Sequence, residues 1–595
     1  MTKRLLPALL LAAACSDPPT VDPSPTPPPT WGVPVTGGTM TVTNDGRFAI
    51  AADPDRDRVL SIELATGAII ADVALQTNDE PGRVIEDAAG RVHIALRRGG
   101  AVITMDPATG QITDRTQICA EPRGLAFDAT ADAILVACSG GDLITLPAAG
   151  GAPTRTVRVD RDLRDVLIVN NQVFVTRFRS AELLKLDATG TVVSRAVSPV
   201  TERVDFNTFN EATGDNTVAA IPAIAWRSIV DKNSGSIVML HQRQLDKQLG
   251  TQETGGYGGG CGGESGPVEA AVTVHGATGT VRAVAPAFFG ALPVDIAVNP
   301  NGSQYAVVLA GSQSVRQIRS SFLPGEDHDQ CPFDGGQHDD GPRINDHLGT
   351  PTSVAYAPNG TLVIFYPEVP AIAIRTQPGV TSQIITLPGG FGYDSGRGMF
   401  HEQTPVGIAC ASCHPEGRED GLTWKFEFGT RRTQSIAGGI LSRAPYHWVG
   451  DMTDLPKLMN DVFAVRMAAG TTTNSQRLSL GPWLDRIPAP APVPAVDPAA
   501  AERGRALFES TELQCVSCHN GALLTNNTRV NVGTGGNFKV PSLRGVGARA
   551  PFMHDGCAET LTDRFTTCGG GNLHGKTSQL DPTQLADLIT YLDTL

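Results

Sequence analysis

Two short stretches carry residue types and a spacing that can do chemistry: Cys410-Ala-Ser-Cys413-His414 and Cys515-Val-Ser-Cys518-His519. Two thiols three residues apart on one helical turn reach the two vinyl groups of a heme, and the adjacent imidazole then points at the iron as its proximal ligand. A zinc or thiol-redox CxxC does not explain a histidine at the fifth position twice. The spacing predicts two covalently attached c-type hemes on Cys410, Cys413, Cys515 and Cys518, with His414 and His519 on the irons.

The elements that position these groups come in two copies. Gly396-Arg-Gly-Met-Phe400 precedes the first motif as Gly504-Arg-Ala-Leu-Phe508 precedes the second, and Ser435-Ile-Ala-Gly438 pairs with Ser542-Leu-Arg-Gly545. Further on, Ala444-Pro-Tyr-His447-Trp-Val-Gly450 pairs with Ala550-Pro-Phe-Met553-His-Asp-Gly556. Two mainly α-helical cytochrome c-type domains are expected, at 391–485 and 501–595, joined by a Pro/Ala linker at 486–500. Asp581 can cap a last helix, Pro582 suits its first position, and Leu585, Leu588, Ile589 and Leu592 form one apolar face.

Gly504-Arg-Ala-Leu-Phe508, Cys515-Val-Ser-Cys-His519, Phe538-Lys-Val-Pro-Ser-Leu-Arg-Gly-Val546, Ala550-Pro-Phe-Met-His-Asp-Gly556 and Leu588-Ile-Thr-Tyr-Leu592 occur in the order seen in bacterial di-heme cytochrome c peroxidases and MauG-like proteins. The resemblance covers residues 390 to 595. It implies electron entry at the His519 heme and peroxide chemistry at the His414 heme. The chain departs from the family at Trp448-Val-Gly-Asp451, where Trp-Asp-Gly-Arg is frequent. It departs again at Arg549, where Thr is frequent, which counts against the family's inter-domain calcium. His447 and Met553 hold equivalent places and are candidate distal ligands, for the His414 and the His519 iron respectively. Met553 suits packing equally well, and His574 is a further candidate. The catalytic acid is left open; Glu416, Glu419 and Asp420 stand near the first motif, where solvated loop charges are the ordinary reading.

Before residue 390 a repeat dominates. Glu121-Pro-Arg-Gly-Leu-Ala-Phe-Asp128, Leu292-Pro-Val-Asp-Ile-Ala-Val-Asn-Pro-Asn-Gly302 and Thr350-Pro-Thr-Ser-Val-Ala-Tyr-Ala-Pro-Asn-Gly360 are Pro-led strands of alternating apolar residues closed by turns. Weaker copies start near Gly38, Pro81, Arg164 and Pro222. Seven starts predict a seven-bladed β-propeller over 31–390. Asp55–Glu63 and Glu182–Asp187 resemble inner strands of YVTN- or YncE-like propellers. Two insertions, 242–265 and 321–347, stand out as long loops able to form a dock or lid, the second with a His/Asp cluster read as a solvated acidic loop.

The chain has 595 residues, 47 Lys+Arg against 61 Asp+Glu, and a formal net charge of −14, with no basic stripe. That excludes a nucleic-acid binder and leaves an acidic surface able to steer a basic redox partner. Lys3 and Arg4 precede an apolar run to Ala14 that is too short to span a bilayer, so residues 1–15 read as a signal peptide ending at a lipoprotein-like Cys15. Residues 16–30 form a Pro-rich tether. Export permits disulfides, and Cys119 with Cys138, Cys261 with Cys331, and Cys557 with Cys568 are the expected pairs. The eleven cysteines thus divide into one for lipid, four for hemes and six for bridges.

The leading expectation is a lipid-anchored cell-envelope protein, in the periplasm or at the cell surface, whose membrane contact is through that lipid alone. It reduces H2O2 with electrons from a small redox protein, a cytochrome c or cupredoxin, the propeller serving as docking or substrate module. Two alternatives stand beside it: a non-catalytic electron-transfer lipoprotein with two six-coordinate hemes, and a MauG-like oxidation of a propeller-bound substrate.

Overall fold

The computed structural model describes residues 33–595 apart from 205–216, 258–265, 285–289, 323–342, 377–379, 381–382 and 393. Cys15, Cys261, Cys331, the tether and the His/Asp cluster lie outside the described residues. Up to Thr386 the regular structure of the described chain is almost entirely strand. Seven antiparallel sheets succeed one another, at 40–74, 81–117, 122–158, 163–197, 201–284, 293–344 and 353–386, with five strands in the fifth and four in each of the others.

Central strands such as Phe48–Asp53 and Leu362–Tyr366 are buried along their whole length. Sheets packed on both faces need apolar residues at every position rather than at alternate ones. Ile50, Val59, Val84 and Ile94 fill the gap between the first and second sheets, and Leu135, Leu143, Val166 and Val175 that between the third and fourth. Met40, Leu60, Val363 and Phe365 join the first sheet to the seventh, and the Met40 amide donates to Ser353 Oγ at 3.2 Å. The ring therefore closes on itself, and each fully buried Leu, Ile or Phe in these gaps contributes roughly 2 kcal/mol.

The first strand of each sheet lies nearest the axis; in the fifth sheet the long strand Thr217–Asp231 takes that place. Pro81, Pro122 and Pro293 each open such a strand. An edge position suits proline, which has no amide to donate. Gly302 and Gly360 close the turns that follow with φ of +72° and +87°, where a side chain would be strained. The axis itself is filled by ion pairs. Arg83 meets Asp165 at 3.0 Å, Arg227 meets Asp165 at 3.2 Å and Asp295 at 3.4 Å, and Asp295 accepts from Ser353 Oγ at 2.6 Å.

Three expectations need correction. Arg58–Glu63 and Glu182–Leu186 are third strands of their sheets, not inner ones. Apolar patterning is alike in every strand buried on both faces, so it does not report radial position. Gln242, read as the start of an exposed insertion, lies in the buried strand Ser236–Leu245.

Beyond residue 390 the described chain has mostly short helices linked by long irregular stretches. α1 (Ser395–His401), α2 (Cys410–Cys413), α3 (Leu455–Leu458), α4 (Asn474–Arg486), α5 (Pro498–Glu509), α6 (Leu561–Thr566) and α7 (Pro582–Asp593) account for the α-helix. The duplication is visible in three dimensions. α1 crosses α4 at Gly396, where a Cβ would stand 2.6 Å from the Ser479 carbonyl oxygen, and α5 crosses α7 at Gly504, where it would stand 1.9 Å from that of Asp587. Asp581 caps α7, accepting from the Thr583 and Gln584 amides at 2.8 Å, and Leu588 and Leu592 are buried. Ile487 to Asp497 join α4 to α5 without regular structure. Strand Gln248–Leu249 of the ring region pairs in parallel with Thr423–Phe426, so the two regions share a small sheet. Among the described residues no helix is long and apolar enough to cross a membrane.

Candidate functional site

Each CxxCH motif borders a cleft. The first, of about 270 Å3, is lined by Cys410, Cys413 and His414 and, beyond them, His447, Asp451 and Arg466. The second, of about 260 Å3, is lined by Cys515, Cys518, His519, Met553, Arg564 and His574. His414 Nδ1 donates to the Arg418 carbonyl at 3.1 Å, and His519 Nδ1 donates to the Leu524 carbonyl at 3.1 Å. Such a bond fixes the tautomer and leaves Nε2 as the ligand atom. Burial holds both imidazoles below their usual pKa, His519 down to about 4, so both stay neutral.

The thiols fit the same chemistry. Burial pushes Cys410 up to about 12 and Cys413 well above its usual value. A dithiol redox centre needs the opposite shift.

The walls suit an anionic macrocycle. Arg432, Trp448, Lys539 and Arg549 line both clefts. Arg443 joins them on the first, and Glu419 partners Arg432 at 3.3 Å and Arg549 at 3.0 Å. Among the described residues Nε of Arg432 and Nε of Arg443 lack a hydrogen-bond partner. Buried guanidinium groups with spare donors match the two propionates of a heme. Trp448 is fixed in the partition, donating from Nε1 to the Arg432 carbonyl at 2.7 Å, while its own carbonyl accepts from the Lys539 amide at 2.7 Å.

His447 and Met553 occupy matching loops: each has positive φ, +65° and +71°, and each follows a residue in an isolated bridge, Tyr446 to Met452 and Phe552 to Ala558. Their surroundings differ. His447 Nδ1 lies 3.2 Å from Asp451 Oδ1, whereas Met553 packs against the apolar cluster of Phe508, Phe552 and Leu588. His574 stands near His519 with ring centroids 6.4 Å apart, and its Nδ1 is buried without a partner among the described residues.

Glu416, Glu419 and Asp420, read as solvated charges, are 5%, 2% and 0% exposed. Glu416 reaches Arg123 and Arg164, each at 2.9 Å, on the ring's inner strands. A sequence window does not contain those partners, which lie about 250 residues or more away. Cys119 is bonded to Cys138, and Cys557 to Cys568 across α6.

No family model matches the chain. Over 144 residues it is 27% identical to hydrazine synthase subunit gamma of Kuenenia stuttgartiensis, covering 16% of this chain and 41% of that protein. Over 152 residues it is 28% identical to a cytochrome-c peroxidase of Denitromonas iodatirespirans, covering 16% and 40%. The chain spans about two fifths of the length of these curated relatives. Solved structures with a similar course include the Kuenenia stuttgartiensis hydrazine synthase (TM-score 0.43, 15% identity, 62% of this chain and 100% of that one). Another is virginiamycin B lyase from Staphylococcus aureus (TM-score 0.36, 10% identity, 57% and 93%). The two sequence similarities point to a heme-related redox role.

Proposed function

We propose that this protein is an exported di-heme c-type cytochrome that reduces H2O2 with electrons from a small redox protein, a cytochrome c or cupredoxin. Residues 31–390 form its seven-bladed propeller, 391–485 and 501–595 its two cytochrome c-type domains, and Cys15 its lipid anchor in the cell envelope. The observation that carries the reading is the pair of clefts, each bordered by two cysteines and a carbonyl-oriented histidine, with Trp448 in their common wall.

A heme held in each cleft would supply one-electron exchange and, where one side of it is left open, a place for peroxide reduction. The residues divide the labour. His574 offers a second imidazole near His519 that would help hold the second heme and reserve it for electron entry. The nearness of its ring to His519 and an Nδ1 unpartnered among the described residues favour His574 for this role over Met553, which packs in the apolar cluster.

In the first cleft, Asp451 orients His447 through Nδ1, leaving Nε2 free to face the cavity as proton acceptor and donor. Arg466 adds a cation to the same lining. Reduction of H2O2 to two waters consumes two electrons and two protons. His447 relays a proton between the two peroxide oxygens, and solvent through the cleft mouth replaces those consumed.

Steady-state H2O2 turnover with reduced cytochrome c, combined with EPR of the resting hemes, tests the reading. Turnover and one high-spin iron in at least one redox state are expected. Two low-spin irons in every state and no turnover would instead favour the non-catalytic carrier, with His447 as a permanent ligand.

A further inference from the structure

The loop that follows the first CxxCH motif is held by the ring as well as by its own region. Glu416, in a left-handed conformation (φ +54°), accepts from Thr36 Oγ1 at 3.2 Å and pairs with Arg123 and Arg164 at 2.9 Å each. Two residues on, Arg418 grips Glu121 with both terminal nitrogens, one at 3.0 Å. Within the motif itself, Gln242 Nε2 donates to the Ser412 carbonyl at 2.9 Å. These anchors come from the chain ahead of the first sheet and from the third, fourth and fifth sheets, and all are buried. Glu121 is itself braced. Ser139 donates to its carboxylate at 2.9 Å and to its carbonyl at 3.0 Å, and the Cys119–Cys138 disulfide ties the two flanking segments together.

The carbonyl of Arg418 is the acceptor for His414 Nδ1. The geometry points to the ring as a positioning device for the first proximal ligand: Glu121, through the Arg418 side chain, holds the carbonyl that orients and polarises His414. This rests on the heme reading above. A firmly held acceptor on Nδ1 makes the imidazole a stronger electron donor and favours ferric iron. Loosening it should raise the midpoint potential of that heme and weaken its iron–histidine bond, while the His519 heme, oriented by Leu524 on its own loop, stays unchanged.

The test compares full-length parent, Glu121→Gln, Arg418→Lys, the charge-swapped Glu121→Lys/Arg418→Glu double variant, and Glu182→Gln as a control. Glu182 pairs with Arg177 and Arg195 within the fourth sheet, away from the heme loop. Arg418→Lys keeps the cation but loses the two-point grip, so it carries the same expectation should Glu121→Gln not fold. Pyridine hemochrome counts hemes, redox titration follows both waves, and resonance Raman reads the ferrous iron–histidine stretch. We expect two hemes throughout, one wave moved upward with a lowered stretch in Glu121→Gln and Arg418→Lys, partial return in the double variant, and no change in Glu182→Gln. Two hemes with both waves unmoved would overturn the inference while leaving the heme reading intact, as would an equal shift in the control. A parent without heme would overturn both.

Discussion

His519 and His574 lie 55 residues apart in the chain, yet their rings stand 6.4 Å apart and 28° from parallel across one wall of the second cleft. His519 has its Nδ1 committed to a carbonyl; His574 has no partner there among the described residues. A buried imidazole without a partner costs free energy unless something binds it.

If that something is the iron, His574→Ala turns one low-spin heme high-spin, and His574→Met restores low spin at a higher potential. Met553→Ala leaves the axial spectrum unaltered and costs about 2 kcal/mol of stability as a lost packing residue. The near-infrared charge-transfer band distinguishes the cases. A methionine-type band in the parent, lost in Met553→Ala, assigns the ligand to Met553 instead.

His447→Gln should lower kcat for H2O2 by roughly 10²- to 10⁴-fold, the usual contribution of a positioned acid–base group. Asp451→Asn should lower it less, since it disturbs the orientation of His447 without removing it. Rapid-mixing kinetics decide; wild-type rates in His447→Gln would remove it from the chemistry.

The junction between the ring and the region of the first CxxCH motif should weaken in acid. His401 donates from Nδ1 to the Arg397 carbonyl at 2.8 Å, and its Nε2 accepts from the Val35 amide at 3.2 Å. Burial, with Arg397 nearby, pushes it down to about 3. The unfolded chain takes up the proton near pH 6.5 while the folded chain does not, so this stability is complete above pH 6.5 and is lost as pH falls toward 3. His401→Gln should be less stable than the parent at pH 7.5, with a shallower decline between pH 6.5 and 4.5 in urea denaturation. Parallel declines would refute the assignment.

Gly504→Ala should cost several kcal/mol, roughly 3 or more, because its methyl would fall on the Asp587 carbonyl and push α5 off α7. Arg505→Ala, on the exposed side of the same helix, should stay within about 0.5 kcal/mol. Thermal unfolding followed by circular dichroism reports both, and an equal small effect would mean the helices do not cross there.

Much of the molecule is legible along the chain because its causes are local. A CxxCH motif works within five residues, and the cap and apolar face of α7 are written in Asp581, Pro582, Leu588 and Leu592. Pro81, Pro122 and Pro293 mark strand starts because proline, with no amide to donate, is favoured at the first position of a strand. The paired helix glycines announced a duplication that the backbone repeats, down to the left-handed residues His447 and Met553.

What the chain did not disclose depends on partners distant in sequence. Glu416 reads as a loop charge until Arg123 and Arg164 arrive from two other sheets, and Gln242 as an insertion until its amide meets Ser412. Spacing by itself pointed to where two cofactors would attach and which histidines would face them. Only the tertiary structure decided which groups stand opposite those histidines and what holds them. The reason is physical: a covalent attachment motif is satisfied by its own neighbours, whereas a buried charge or an unpaired imidazole is defined by whatever the rest of the fold brings to it.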